Sequence, residues 1–180
     1  MFNRILEWVK PEAPEDYGDA DPIYKFNAEL ITGEEVSLEE YSGKVLLVVN
    51  TASHCGFTPQ YKDLQKLQDK FADKGFTVLA FPSDNFKGQE FGTDEEVKEF
   101  CDLKFNISFP LFSKVDVKGD DAHPLWQYLT EKRKNKVASA VPKWNFQKYL
   151  INREGYLVDF FYPVTNPYSN IIIRKIQKEL

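Results

Sequence analysis

Two short runs of the chain are apolar at every position, Val45-Leu46-Leu47-Val48-Val49 and the stretch Phe76–Phe81, and both read as strands buried on two faces. An earlier stretch alternates instead: Tyr24, Phe26, Ala28 and Leu30 stand between polar residues, and Thr32-Gly33 turns the chain into Glu34–Leu38, as in a hairpin. Helical stripes follow the apolar runs. Thr58 is placed to cap a helix with Pro59 in its first turn, and Tyr61, Leu64, Leu67 and Phe71 mark its buried face. Thr93 with Glu96 three residues on predicts a capping box at the start of another helix. His123–Arg133, carrying Leu125, Tyr128 and Leu129, predicts a third, and Pro167–Leu180, with Ile172, Ile176 and Leu180 on one face, a fourth. Phe109–Phe112 and Val115–Val117 are short connecting elements, while Phe146–Asn152 and Tyr156–Tyr162 flank Arg153-Glu154-Gly155 as a second hairpin.

At the amino terminus Phe2, Ile5, Leu6 and Val9 have the spacing of a short amphipathic helix, and Pro11, Pro14 and the acidic residues through Asp21 read as a linker. Residues 1–21 are therefore expected to form an N-terminal segment and linker, docked by default on its own domain, and residues 22–180 one compact domain. The element order is hairpin, β, α, β, α, α, ββ, α. It predicts an α/β protein of thioredoxin-like fold, with a central mixed β-sheet flanked by helices and an added N-terminal β-hairpin. In such a sheet the carboxyl ends of parallel strands lie at one edge, where sites commonly form. Cys55 follows the first parallel strand and the polar loop from Pro82 to Gly92 follows the second. An antiparallel strand starting at Phe146 would bring Trp144 and Asn145 to the same edge.

Composition narrows the function. The 42% hydrophobic and 28% charged content fits a soluble globular protein, and a net charge of −5 gives no general attraction to nucleic acid or anionic membrane. No apolar run approaches a membrane span, and the amino terminus is interrupted by charge too often for a signal peptide. A cytoplasmic protein is the simplest expectation. Neither metal-ligand spacing nor a glycine-rich phosphate loop appears, so no metal and no cofactor is expected. Two cysteines without a secretory signal do not make a disulfide framework, which gives weight to a catalytic or redox role.

Cys55 lies in Ser53-His54-Cys55-Gly56-Phe57-Thr58-Pro59, between strand and helix. Unpaired backbone N–H groups and the positive end of a helix dipole favour the thiolate there, and the thiolate is the nucleophile. A buried structural cysteine is the alternative, but Gly56 and the preceding Ser-His are poor core neighbours. The side chains converging on this position, Gln89, Trp144 and Asn145, are neutral hydrogen-bond donors. Such donors suit attack of a thiolate on a peroxide oxygen, because they stabilise both the sulfur anion and the departing hydroxide or alkoxide. No His or carboxylate partner is evident, which argues against acyl transfer. Taken singly, Trp144 also reads as packing, Gln89 as solvated loop and Asn145 as a turn.

Longer stretches carry a family resemblance. Val49-Asn50-Thr51-Ala52-Ser53-His54-Cys55-Gly56-Phe57-Thr58-Pro59-Gln60-Tyr61, Leu79-Ala80-Phe81-Pro82, Gly88-Gln89-Glu90 with Gly92, and Lys143-Trp144-Asn145-Phe146 are ordered and spaced as in glutathione peroxidases. Residues from about 22 to 168 resemble the cysteine-containing type rather than the selenocysteine type. The resemblance implies that Cys55 is the peroxidatic cysteine, that Gln89, Trp144 and Asn145 complete a catalytic tetrad, and that hydrogen peroxide or organic hydroperoxides are reduced through a sulfenic acid. The chain departs from the family in two places. Pro82-Ser83-Asp84-Asn85-Phe86 stands where Pro-Cys-Asn-Gln-Phe is usual, and Phe91 stands where a proline is common. An inward Asp84 would disfavour the thiolate; an exposed Asp84 is the expectation.

Cysteine members of the family often resemble thioredoxin-dependent peroxidases, with a second cysteine that resolves the sulfenic acid as a disulfide. Cys101 is the one candidate, and it reads equally as a small apolar residue on the Val97, Phe100, Lys104 face of its helix. Thioredoxin or glutathione is the implied reductant. The short segment Thr130–Lys143 lacks the longer insertion of tetrameric members, which implies a monomer. Its Lys132, Arg133, Lys134 and Lys136 read either as a solvated helix end or as a surface for an acidic reductant. His123 is expected to cap or pack beside Pro124, and His54 flanks the nucleophile. Two other functions compete. A dithiol oxidoreductase needs Cys-x-x-Cys, and threonine stands at position 58. A non-enzymatic redox sensor would be oxidised once without turnover.

Overall fold

The computed structural model describes residue 10 and residues 12–180; the amphipathic stretch around Phe2–Val9 lies outside the described residues. A hairpin of β1 (Asn27–Glu29) and β2 (Glu35–Ser37) precedes a βαβ unit made of β3 (Val45–Thr51), α1 (Gln60–Phe71) and β4 (Phe76–Pro82). Then come α2 (Asp94–Phe105), α3 (Pro124–Thr130), α4 (Lys132–Asn135), the hairpin β5 (Lys148–Ile151) and β6 (Leu157–Phe161), and α5 (Asn170–Glu179). The main sheet has the order β4-β3-β5-β6, with β3 and β4 parallel and β5 antiparallel to both of its neighbours. It is the mixed sheet of a thioredoxin-like fold, with β1 and β2 forming a separate two-stranded sheet.

The continuous apolar runs have a simple cause: β3 and β4 are buried along their whole length. Val45, Leu47 and Val49 face a core closed by Tyr61, Leu64 and Leu67 of α1, Val97 and Cys101 of α2, and Ile172 and Ile176 of α5. Leu46 and Val48 face the other side, where Leu125, Trp126 and Leu129 of α3 pack with Phe81, Phe112 and Tyr149. Each face removes apolar surface from water at about 25 cal/mol per Å2, which is what holds the two helical layers to the sheet.

Local chemistry sets the boundaries. Thr93 and Glu96 form the expected capping box at α2. His123 caps α3, its Nδ1 accepting the Leu125 N–H at 3.2 Å. The helix expected over His123–Arg133 is broken: Glu131 has extended backbone angles, and α3 and α4 are separate. Buried Asn135 explains the break. Its amide donates to the carbonyls of Tyr128, Leu129 and Ala138 and accepts the Val137 and Ala138 N–H groups, folding the chain back on itself. At the β5–β6 turn Gly155 has φ of 90°, and a Cβ there would meet Tyr24 at 2.8 Å, so the position admits only glycine.

The described part of the N-terminal linker lies against the same domain. Tyr17 stacks on Tyr156 with ring centroids 4.5 Å apart and donates to the Leu157 carbonyl at 2.9 Å. Lys136 pairs with Asp19 at 2.6 Å, and Lys134 with Glu131 at 3.1 Å. Part of the basic segment is thus already occupied by acidic side chains of this chain.

One charged residue is buried in the sheet. Lys148, fully enclosed, donates to the carbonyls of Pro163 and Thr165 at 3.0 and 2.7 Å. Burial pushes its ammonium down from 10.5 to about 7. Between those values the unfolded chain binds more protons than the folded one, so this residue makes stability rise with pH. Lys148→Met removes the effect. In denaturant titrations the wild type is expected to gain stability relative to the variant as pH climbs through that window; a constant difference contradicts the depressed ammonium.

Candidate active site

Cys55 stands in the turn between β3 and α1 and is 9% exposed. Three bonds shape that turn. The Cys55 N–H donates to Thr58 Oγ1 at 3.0 Å, Thr58 Oγ1 donates to the Ala52 carbonyl at 2.7 Å, and the Thr58 N–H donates to the Cys55 carbonyl at 3.0 Å. Thr58 was expected to cap α1. Its hydroxyl faces back into the cysteine loop instead, and α1 begins after Pro59 without a side-chain cap. The exchange trades a helix cap for a hydrogen-bonded cysteine turn. Phe57 N–H points at Cys55 Sγ at 3.4 Å, a donor that favours negative charge on the sulfur.

The second segment is the loop after β4. Lys87 and Gly88 both have left-handed backbones, φ of 57° and 59°, and reverse the chain so that Gln89 returns to the cysteine loop. There the Gln89 carbonyl accepts the His54 N–H at 2.9 Å. The loop is anchored from below by Asn85, whose Oδ1 accepts the Val117 N–H at 2.7 Å and whose Nδ2 donates to Asp116 at 2.6 Å. Asp84 is exposed and pairs with Lys114 at 3.2 Å, so the departure Ser83-Asp84-Asn85 places its carboxylate in an ion pair at the surface. Phe91 also gains by not being proline. Its N–H donates to Glu90 Oε1 at 2.9 Å, and its ring meets His54 edge-on with centroids 4.4 Å apart.

The third segment arrives ahead of β5. Phe146 has φ of 67°, a strained value for a bulky residue, and its N–H donates to the Asn50 carbonyl at 2.6 Å. This kink is why β5 starts at Lys148 rather than at Phe146, as expected. Asn50 holds the whole arch: its Nδ2 donates to the Trp144 carbonyl at 3.0 Å and its Oδ1 accepts the Gln147 N–H at 3.1 Å. Trp144 packs against the apolar cluster that includes Cys55, and its ring lies 5.4 Å from that of Phe86.

Gln89 and Asn145, separated by most of the βα half of the chain, meet directly: Asn145 Nδ2 donates to Gln89 Oε1 at 3.0 Å. That bond fixes the Gln89 amide with its NH2 end free to donate. Asn145 is fully buried, so one of its own N–H groups is spent on orienting Gln89. Among the described residues the hydrogen bond to Cys55 Sγ comes from Phe57, and none comes from the three side chains singled out in the sequence. Two residues of the site carried a signal that went unread. Asn50 is a buried polar residue directly after the apolar run Val45–Val49 of β3, and Glu90 is a carboxylate 7% exposed; both needed partners to be buried. Cys101 is fully buried on α2, in the same apolar cluster as Cys55, and both thiols are free.

Comparison with known proteins shows the family to which the chain is similar. The family model for glutathione peroxidase matches residues 23–130. The glutathione peroxidase homolog BsaA of Halalkalibacterium halodurans is 50% identical over 145 residues, covering 81% of this chain and 92% of that protein. The hydroperoxy fatty acid reductase gpx1 of Synechocystis sp. is 46% identical over 153 residues, covering 81% and 89%. Among solved structures, that of T. cruzi GPX1 superposes with a TM-score of 0.70 at 32% identity, covering 88% of this chain and 96% of that one.

Proposed function

The chain belongs to the glutathione peroxidase family and is a thiol peroxidase, and we propose that Cys55 is its peroxidatic nucleophile. The observation that carries this reading is the amide pair. Asn145 holds the Gln89 carboxamide oxygen at 3.0 Å, leaving the Gln89 NH2 as a preset donor beside the cysteine loop. Trp144 Nε1–H is the second donor of the proposal, and Asn145 acts by orienting Gln89.

The Cys55 thiolate attacks the nearer peroxide oxygen. A sulfur–oxygen bond forms, the O–O bond breaks, and the departing hydroxide or alkoxide takes a proton to leave as water or alcohol. The sulfur ends as sulfenic acid, oxidised by the two electrons that the peroxide gains. Preset neutral donors stabilise charge on the leaving oxygen without reorganising at the moment of reaction. Organic hydroperoxides are proposed substrates alongside hydrogen peroxide, in keeping with the hydroperoxy fatty acid reductase among the relatives.

Recycling is assigned to Cys101, which would close a disulfide with Cys55 that thioredoxin then reduces, in a monomeric enzyme. A disulfide needs Cα atoms within about 7 Å, so α2 must loosen around Cys101 for the bond to form. Peroxide consumption by wild type and Cys101→Ser, with thioredoxin or glutathione as reductant, tests this. The variant is expected to lose most thioredoxin-supported turnover while still consuming the first equivalent of peroxide. Full thioredoxin-supported turnover in Cys101→Ser would remove Cys101 from the cycle and leave direct reduction of the sulfenic acid.

A further inference from the structure

Behind the cysteine loop, on the face covered by α1 and α2, Thr51 Oγ1, Ser53 Oγ, Tyr61 Oη and Glu90 Oε2 are buried without a hydrogen-bond partner. Leaving a buried polar group unpaired costs about 1–3 kcal/mol, so four together call for an explanation. They belong to one neighbourhood. Ser53 N–H donates to Glu90 Oε1 at 3.2 Å. The Tyr61 hydroxyl faces both Thr51 and the Cys101 sulfur without completing full hydrogen-bond geometry to either. The Glu90 carboxylate acts electrostatically on Tyr61 and on Cys101 alike.

Glu90 does more than its structural duty requires. One carboxylate oxygen accepts the N–H groups of Ser53 and Phe91, and a glutamine carbonyl would serve there equally. The second oxygen is enclosed and faces the Ser53 hydroxyl without completing full hydrogen-bond geometry. Cys101 has the complementary need. Burial pushes its thiol up to about 12, so at neutral pH it keeps its proton, while only a thiolate attacks sulfur. Burial also raises the Glu90 carboxyl from its ordinary value, which strengthens it as a proton acceptor. The groups facing the pair are the Ser53 hydroxyl, the N–H groups of Phe91 and Ser53, and His54, which favour the Glu90 anion, and Asp102, which opposes a Cys101 thiolate.

We infer that Glu90 accepts the Cys101 proton in the resolving step, with the Tyr61 hydroxyl as the link between them. The inference rests on Cys101 being the resolving cysteine. The step balances. As α2 loosens, the Cys101 proton passes through Tyr61 to Glu90, and the Cys101 sulfur attacks the Cys55 sulfur. The S–S bond forms and the S–O bond of the sulfenic acid breaks, its electron pair leaving with hydroxide. The proton held by Glu90 neutralises that hydroxide, so one water is released and Glu90 is again a carboxylate. The Cys101 sulfur is oxidised as the Cys55 sulfur is reduced, and no outside oxidant enters.

The test is a single turnover of the full chain with one equivalent of hydrogen peroxide. Sulfenic acid and disulfide are followed separately by rapid quench across the neutral pH range. Glu90→Gln keeps an acceptor for Ser53 and Phe91 but takes up no proton. It is expected to slow disulfide closure at least about a hundredfold more than it slows Cys55 oxidation, the lower end of the usual range for losing a general base. Its closure rate should rise steadily with hydroxide where the wild type levels off. Tyr61→Phe keeps the ring in the core and is expected to act in the same direction; it decides the matter if Glu90→Gln does not fold. If the wild type forms no Cys55–Cys101 disulfide, the resolver assignment falls and this inference with it. If the disulfide forms and Glu90→Gln, or failing it Tyr61→Phe, closes at the wild-type rate and pH profile, the proton acceptor alone is overturned.

Discussion

Replacing Cys55 with serine is expected to bring peroxide consumption down to the uncatalysed rate while leaving the fold intact. The hydroxyl fits the space of the thiol, and the bonds that shape the turn use the Cys55 backbone and Thr58 rather than the sulfur. What disappears is the sulfur nucleophile, since an alcohol ionises far less readily than a thiol and attacks far more weakly. A single backbone donor, Phe57 N–H at 3.4 Å, helps a thiolate but is far from enough to ionise an alcohol. The neighbouring imidazole, His54, is exposed and packed edge-on against Phe91. The measurement is peroxide loss with either reductant, alongside denaturant unfolding to show that the variant is folded. Turnover above background in Cys55→Ser would place the nucleophile elsewhere and overturn the central assignment.

The second large effect is expected at Asn50, which touches no substrate. Asn50→Ala leaves the Trp144 carbonyl and the Gln147 N–H without partners inside the protein. At about 1–3 kcal/mol for each of the two stranded groups, the unfolding free energy should fall by about 2–6 kcal/mol. Activity should fall as well, because the arch that presents Trp144 and Asn145 loses its pin and the strained Phe146 is freed to relax. Denaturant titration and initial rates on the same preparation read the two effects together. A loss of stability below about 1 kcal/mol would mean that water or a neighbouring group replaces both bonds.

The sequence made the frame legible because burial leaves a periodic trace. Val45–Val49 is apolar at every step since both faces of β3 are covered, and Tyr61, Leu64, Leu67 and Phe71 recur at helical spacing since one face of α1 is. The convergence of Gln89, Trp144 and Asn145 on one sheet edge followed from strand direction, and the Gln89–Asn145 contact bears out the meeting of two of those segments. What stayed hidden was the direction of individual polar side chains. Thr58 has the residue type of a helix cap, yet its hydroxyl closes the cysteine turn. Asn135 breaks an expected helix by capturing five backbone groups, and nothing in its neighbours' periodicity announces that. Asp84 was expected to be exposed and is, but its partner Lys114 lies on a different segment. Pattern reads faces; it does not read which of several nearby groups a polar atom selects.

The place of β3 between β4 and β5 has a consequence for how this protein comes into being on the ribosome. Synthesis delivers Cys55 and then Gln89 well before it delivers Trp144, Asn145 and the Lys148–Ile151 strand. Until that last strand emerges, one edge of β3 is an apolar ladder without a partner, the kind of surface that invites pairing with another chain. Over the same interval Asn50 has no arch to hold and Gln89 no amide to orient it. A nascent chain therefore carries its thiol for much of translation without the donors assembled around it. The proposed site is completed in one late event, when the β5–β6 hairpin docks and closes the sheet.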